Sequence, residues 1–287
     1  TVTNVGGGDG GLLAETYVLT DLDTTTTDQD VIANGATDVV TTGIATAVVD
    51  SVAHGATYYN INATGVADIK LVNGGTFGTR ATASASPVAS DATAVAAVSR
   101  GFWATVEAED DAKLAFTNTG TFAVGADADA IAGTASDATA TAIVENGFGL
   151  VADSDDGDAL NTLTNSKALS VSATATADGV TSGAANAGVL NGISQYAYSS
   201  AEAVEGYTPL ASVALTNAAS STIDIVADAQ ANGDVSAAGA YIANGIYQEA
   251  DTLEGLGKAE FTNNGAVNIK ANAVANSAVA VVAEAAP

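Results

Sequence analysis

The sequence predicts an all-β fold, a β-solenoid (parallel β-helix) of about 11–12 coils. Three observations predict this class: a repeat near 46 residues, segments in which apolar and polar residues alternate, and a hydrophobic content dominated by alanine. The repeat is carried by a Leu/Phe-x-Asn motif whose asparagines lie 45, 47, 52 and 46 residues apart, at Asn73, Asn118, Asn165, Asn217 and Asn263. A period of this length is typical of stacked repeat proteins.

A second motif lies between these asparagines and has a similar period. It contains Asn-Gly at Asn146, Asn191 and Asn244, while His54 and Arg100 stand before glycine in two drifted earlier copies. Together the two motifs divide the chain into steps of 18 to 28 residues, and we expect each step to form one coil. Asparagine suits a coil corner because it tolerates left-handed backbone and bonds nearby backbone groups. We also expect stacked asparagines to bond one another.

The segments between these anchors are predicted to be strands. Apolar and polar residues alternate with period two at 171–177 and 267–273, which is the signal of a half-buried strand. Alanine also favours helices, but the interleaved Thr, Val and Asp and the absence of a helical apolar stripe favour a strand over 124–140. An antiparallel β-meander or sandwich is the alternative fold, because Asn264-Gly265 is a hairpin signal.

Three regions are expected along the chain. Residues 1–33 do not match the repeat and are predicted to be an N-terminal cap or assembly arm. Residues 34–265 form the repeat body. Residues 266–287 stop before another unit is complete, so they are predicted to expose an open strand edge, which invites pairing with another chain.

Composition excludes several classes of partner. The 287 residues include 33 acids and only 7 Lys plus Arg, for a net charge of −26. Nucleic acids and anionic membrane surfaces both require a basic surface, and no apolar run is long enough for a membrane-spanning helix. The chain has no cysteine and no methionine, even at position 1. We expect a processed chain in an extracellular, cell-surface and bacterial setting.

Acidic residues follow the glycine of the second motif, and in a stacked fold they would form a stripe along one side. Clustered carboxylates are ligands for Ca²⁺, and the candidate ligands are Glu107, Glu109, Asp110, Asp111, Asp153, Asp155, Asp156 and Asp158. The competing interpretation is that these are solvated turns that keep the surface soluble. No other cofactor is predicted.

Catalysis is not predicted. The single histidine, His54, stands at an anchor position where other copies have asparagine, so we interpret it as a turn residue. No Gly-x-Ser-x-Gly motif is present. Paired carboxylates of a solenoid glycosidase would have no distinguishing pattern here.

The Leu-Thr-Asn-x-Gly anchors followed by alternating strands resemble the β-helical repeats of large Gram-negative surface proteins, the filamentous-haemagglutinin-like adhesins and autotransporter passengers. The resemblance covers roughly residues 34–287. It implies a β-helical fold and a place outside the cell.

The expected function is that of a secreted structural protein that assembles head to tail into an extracellular filament through terminal β-strand pairing. The partner would then be the protein itself. The alternative is a monomeric adhesin or surface-layer module that binds a cell-surface glycan or Ca²⁺. A polysaccharide-acting enzyme is the third hypothesis.

Overall fold

A computed structural model describes residues 2–3, 12–24, 37–45, 50–63, 66–86, 91–134 and 136–286. Side chains are described within residues 66–277, apart from residues 69, 87–90 and 135. This part of the chain contains seventeen strands and no helix: β1 (Val2–Thr3), β2 (Leu12–Thr24), β3 (Thr37–Ala45), β4 (Asp50–Ala63), β5 (Ala67–Asn73), β6 (Thr76–Ala85), β7 (Ala92–Ala108), β8 (Ala112–Asn118), β9 (Thr121–Ile131), β10 (Asp137–Ser154), β11 (Ala159–Asn165), β12 (Ala168–Asp178), β13 (Ser182–Ser199), β14 (Leu210–Asn217), β15 (Thr222–Thr252), β16 (Leu256–Asn263) and β17 (Ala266–Ala286).

The strands form two parallel sheets in which each strand pairs with the equivalent strand of the next repeat. The smaller sheet has the order β16-β14-β11-β8-β5, and the larger has the order β1-β3-β6-β9-β12-β15-β13-β10-β7-β4-β2, with β17 also on β15. The long strand β15 joins the two halves of the larger sheet, because its first part pairs with β12 and its second with β13. This all-β, parallel architecture fits the parallel β-helix class.

The pairing register corrects the expected size of the coil. Asn118 lies beside Asn73 and Asn165 in the smaller sheet, whereas Asn146 lies beside Asn191 in the larger sheet. The two asparagine motifs therefore occupy different sheets of one repeat and do not stack alternately on each other. Neighbouring rungs are a full repeat apart, so the expectation of 11–12 coils of about 20 residues each was wrong.

The antiparallel meander or sandwich is also wrong. Every pairing between named strands of the described chain is parallel, and the connections between successive strands at Asn73, Asn118 and Asn165 are corners between sheets. The Asn264-Gly265 pair lies at such a corner, between β16 and β17. A turn that suits a hairpin locally can also redirect a strand into another sheet, which is why this signal was misleading.

Alternation along each strand produces the core. In β12 the residues alternate between half-buried and buried along nearly the whole strand, and Val171, Ala173, Ala175 and Ala177 are fully buried. Equivalent alanines in β9 and in the first part of β15 are buried in the same way. Since alanine side chains are short, the halves of the larger sheet lie close together along these columns.

The core is thicker beside the corner of the smaller sheet, where phenylalanines replace alanines. Phe77 stacks on Phe122 with ring centroids 4.6 Å apart, and Phe102 stacks on Phe148 at 5.1 Å. Phe116 from the smaller sheet meets Phe148 edge to face at 4.9 Å. These rings join all three strands of a repeat, and aromatic pairs of this geometry contribute about 0.5–1.5 kcal/mol beyond their buried area.

The predicted terminal regions are partly described. Within residues 1–33, β2 pairs with β4 along the larger sheet, while residues 4–11 and 25–36 lie outside the described residues. In the C-terminal region, β17 pairs with β15 from Ala266 to Ala286 and so adds a full rung to the larger sheet. The described residues contain no helix that is long and apolar enough to cross a membrane.

Candidate functional site

The end of the molecule formed by β16 and β17 leaves core positions open to solvent. Phe261 is 45% exposed, whereas the residues at the same position of earlier rungs, Phe116, Leu163 and Leu215, are at most 3% exposed. Ile269 in β17 is 43% exposed, although its neighbour in register, Ile225, is completely buried. This open end therefore presents the cross-section of the core.

The first asparagine ladder runs along the inner edge of the smaller sheet. Nδ2 of each asparagine donates to Oδ1 of the next, from Asn73 to Asn118, Asn165, Asn217 and Asn263, at 2.8–2.9 Å. The same Nδ2 groups also donate to backbone carbonyls, such as that of Ala168 at 3.0 Å. Because only the nitrogen of a side-chain amide can donate to a carbonyl, this second bond fixes the orientation of each amide.

The second asparagine ladder has the opposite polarity. Nδ2 of Asn191 donates to Oδ1 of Asn146 at 3.0 Å, and Nδ2 of Asn244 donates to Oδ1 of Asn191 at 2.9 Å. Each amide therefore donates to the preceding rung. The two ladders together place unlike hydrogen-bonding groups, the Nδ2 of Asn263 and the Oδ1 of Asn244, at the open end.

The glycines beside the second ladder allow the rungs to approach closely. A Cβ added to Gly147 would lie 2.6 Å from the carbonyl oxygen of Gly192, and one added to Gly192 would lie 2.5 Å from that of Gly245. The Val171 side chain would lie 2.6 Å from the same Cβ of Gly147. Steric contact with the next rung, rather than an unusual backbone angle, requires glycine at this column.

A third polar column, which the sequence analysis missed, lies inside the fold. Nε2 of Gln195 donates to Oδ1 of Asn161 at 3.2 Å and to the Ala214 carbonyl, and Nε2 of Gln248 donates to Oε1 of Gln195 at 3.0 Å. Asn161 and Gln195 are completely buried. Asn161 is in register with Leu114, and Gln195 and Gln248 follow Leu150 in two successive rungs, so the available signal was polar residues at positions that are apolar in earlier repeats.

The predicted Ca²⁺ ligands lie on two neighbouring rungs. Asp153 is in register with Glu107, and the backbone N–H groups of Asp155 and Asp156 donate to the carbonyls of Ala108 and Glu109. Glu109, Asp110, Asp155 and Asp156 are exposed. Among the described side chains, no three His, Cys, Asp or Glu groups converge closely enough to hold a metal ion.

Two of these carboxylates already have structural partners. Oδ1 of Asp111 accepts from the backbone N–H of Asp158 at 3.0 Å, and Oδ2 accepts from the Lys113 ammonium at 2.9 Å. Partial burial alone would raise the pKa of Asp111, but these two donors outweigh it and lower the pKa below its usual range. Asp158 Oδ1 in turn accepts from Leu210 N–H and from the Tyr207 hydroxyl.

The pKa of Asp153 is shifted in the opposite direction to that of Asp111. Burial, together with the charges of Glu107 and Asp155, raises its pKa above the usual range. A raised pKa means that the charged form of this carboxyl group is disfavoured in the folded chain. The acidic stripe thus contains both carboxylates that stabilise turns and one whose charge is unfavourable.

A shallow pocket of 330 Å³ lies on the outer surface over β6 and β9. Its lining includes Arg80 and Asp127, which form an ion pair at 2.6 Å, and Ser172. The ion pair joins the two charged groups of the pocket, whose lining also contains the hydroxyl groups of Thr76 and Thr79. The side chain of His54 lies outside the described residues.

Comparison of the chain with protein-family models, curated proteins and solved structures found no match.

Proposed function

We propose that the chain is a β-solenoid of seven rungs that assembles head to tail into an extracellular filament, with a second copy of the chain covering the open end. The observation that carries this proposal is the exposure of core residues on β16 and β17, Phe261 and Ile269 above all. Burying apolar surface of this kind in a contact between chains stabilises the assembly by about 25 cal/mol per Å². A rung of another copy would bury it in the way that each internal rung buries the one before it.

Backbone groups support the same arrangement. Among the described residues, β16 pairs only with β14, and β17 only with β15. At the opposite end of the larger sheet, β1 pairs with β3 and β2 with β4, and neither has a second partner among the described residues. Strand edges with unpaired N–H and C=O groups are the structural requirement for strand addition between chains.

The asparagine ladders are compatible with head-to-tail contact. The open end presents an amide donor from Asn263 and an amide acceptor from Asn244. A second copy in the same orientation would continue the direction of every ladder bond into the next chain.

Light scattering and negative-stain microscopy of the purified chain over a range of concentrations test the proposal. We expect the mass to increase with concentration and filaments to form, and Phe261→Glu to abolish both because it places a charge against the next rung. Val204→Glu is the matched control, because Val204 is 63% exposed on a side loop, and it should assemble normally. A chain that stays monomeric at every concentration, or equal effects of the two variants, would contradict the proposal.

The same measurement with EDTA tests the Ca²⁺ prediction. If the acidic stripe holds Ca²⁺ between rungs, filaments should dissociate in EDTA and return when Ca²⁺ is added. Assembly that is indifferent to EDTA would leave these carboxylates as solvated turns.

A further inference from the structure

Aromatic side chains are gathered on the outer face of the larger sheet, where they form a regular grid with acidic residues. One column in register contains Trp103, Gly149, Ser194 and Tyr247, the next contains Thr105, Val151, Tyr196 and Glu249, and the third contains Glu107, Asp153, Tyr198 and Asp251. We call these twelve residues the aromatic grid. The ring centroid of Tyr196 lies 5.6–6.1 Å from those of Trp103, Tyr198 and Tyr247.

The Trp103 ring lies flat on the sheet. It covers Gly149, where an added Cβ would overlap the six-membered part of the indole. The indole Nε1 donates to the Thr105 hydroxyl at 3.2 Å, which holds the ring in this orientation. One face of the ring therefore rests on the backbone, and the Arg100 guanidinium lies over the ring, 5.8 Å from its centroid, so a ligand at the indole would also meet this cation.

A buried hydroxyl without a partner lies in the same column. Ser194 is 1% exposed, and its Oγ has no hydrogen-bond partner among the described residues. The strand register places Ser194 between Gly149, beneath the indole, and Tyr247. Buried hydroxyl groups are normally hydrogen-bonded, so an unpaired one between two aromatic residues indicates a position for a ligand's polar group.

Hydrogen-bond acceptors surround the rings. Glu107 and Asp251 are exposed, and Asp153 and Glu249 are half-buried. Tyr247 donates its hydroxyl to Glu249 at 2.8 Å. Arg100, 5.8 Å from the Trp103 ring centroid, places one cation beside the grid, against four carboxylates within it, so the polar groups here are suited chiefly to ligands that donate hydrogen bonds.

We propose that the aromatic grid binds an uncharged saccharide chain. The C–H faces of sugar rings stack on aromatic rings, and sugar hydroxyls donate to carboxylates and exchange bonds with a serine hydroxyl. Anionic polysaccharides are disfavoured by the four carboxylates and by the net charge of −26. This binding is independent of filament assembly, because Tyr196 and Trp103 lie on rungs inside the sheet.

Trp103 is the only tryptophan of the chain, so its fluorescence reports directly on this face. Titration with cellohexaose, xylohexaose and mannohexaose should give a saturable change with at least one of them. Tyr196→Ala should weaken that binding by about tenfold, the equivalent of losing one stacked ring. Ser194→Ala should also weaken binding while leaving the unfolding temperature unchanged or higher, which a purely structural serine would not do.

Tyr241→Ala is the matched control. The Tyr241 ring covers Gly188 as Trp103 covers Gly149, but it lies outside the grid on the same sheet, and its removal should leave binding unchanged. The proposal is overturned if none of the three neutral sugars changes the fluorescence, or if Tyr196→Ala has no effect. It is also overturned if tetramethylammonium or polylysine produces the same response, which would indicate a cation site, or if polygalacturonate binds equally well.

Discussion

At the scale of single residues, the asparagines of the first ladder satisfy backbone groups at the corner between sheets. Asn165 donates to the carbonyls of Lys167 and Thr222 as well as to the amide of Asn217. It also accepts from Asn118 and is completely buried. Replacing any such residue by an apolar one leaves several buried groups without partners, and each costs about 1–3 kcal/mol.

We therefore expect Asn165→Ala to lower the free energy of unfolding by about 3 kcal/mol. Asn244→Ala removes an exposed amide at the end of the second ladder, so it should cost less than about 1 kcal/mol. Urea unfolding followed by circular dichroism measures both values. Similar losses for the two variants would show that ladder position does not determine stability.

These residue positions could be predicted from the sequence, since the motif around Asn73, Asn118 and Asn165 repeats with little change. The polar column of Asn161, Gln195 and Gln248 could not, because these residues stand at positions that earlier repeats fill with apolar residues. The structural role of Asp111 could not be predicted from the sequence either. Its partner, the N–H of Asp158, lies 47 residues away and is brought close only by stacking.

At the scale of strands, one repeat supplies one rung, with a strand in the smaller sheet and two in the larger. Strand type and parallel class could be predicted from alternation and period. The number of coils could not be predicted, because the two asparagine motifs have similar sequences, Asn-x-Gly or Asn-Gly. One marks a corner between sheets and the other a close approach between rungs. Sequence spacing does not show whether two such anchors stack on each other or lie in different sheets.

The glycine column gives a prediction about how closely the rungs approach. Gly147→Ala should lower the unfolding free energy by about 3 kcal/mol, because the new methyl group would meet Val171 and the backbone of Gly192. Gly125→Ala is the control, since its nearest neighbour would be the flexible Ser172 hydroxyl at 3.3 Å. It should change stability by no more than about 0.5 kcal/mol.

Thermal unfolding of the two glycine variants checks this expectation. A loss at Gly147 that is no larger than the loss at Gly125 would mean that the rungs separate more easily than the close approach of their backbones implies.

At the scale of the whole molecule, the end formed by β16 and β17 differs from the middle in the apolar side chains that it leaves exposed. Internal rungs bury their apolar side chains and pair both strand edges, whereas β16 is exposed at all eight positions. The proposed filament removes this difference by making each end the neighbour of another rung. The high negative charge opposes such contact through repulsion between subunits, so assembly should strengthen as salt screens the charges.

The axial repeat of the filament tests the central claim, that one 46-residue repeat forms one rung and that rungs continue from chain to chain. The described strands of the larger sheet make seven rungs, and at about 4.8 Å per rung the subunit repeat should be about 34 Å. Fibre diffraction or cryo-electron microscopy of the assembled chain measures it. A repeat of about 34 Å with a strand spacing of about 4.8 Å along the axis is expected, whereas a repeat of about 55 Å, as 11–12 coils would give, would contradict the account.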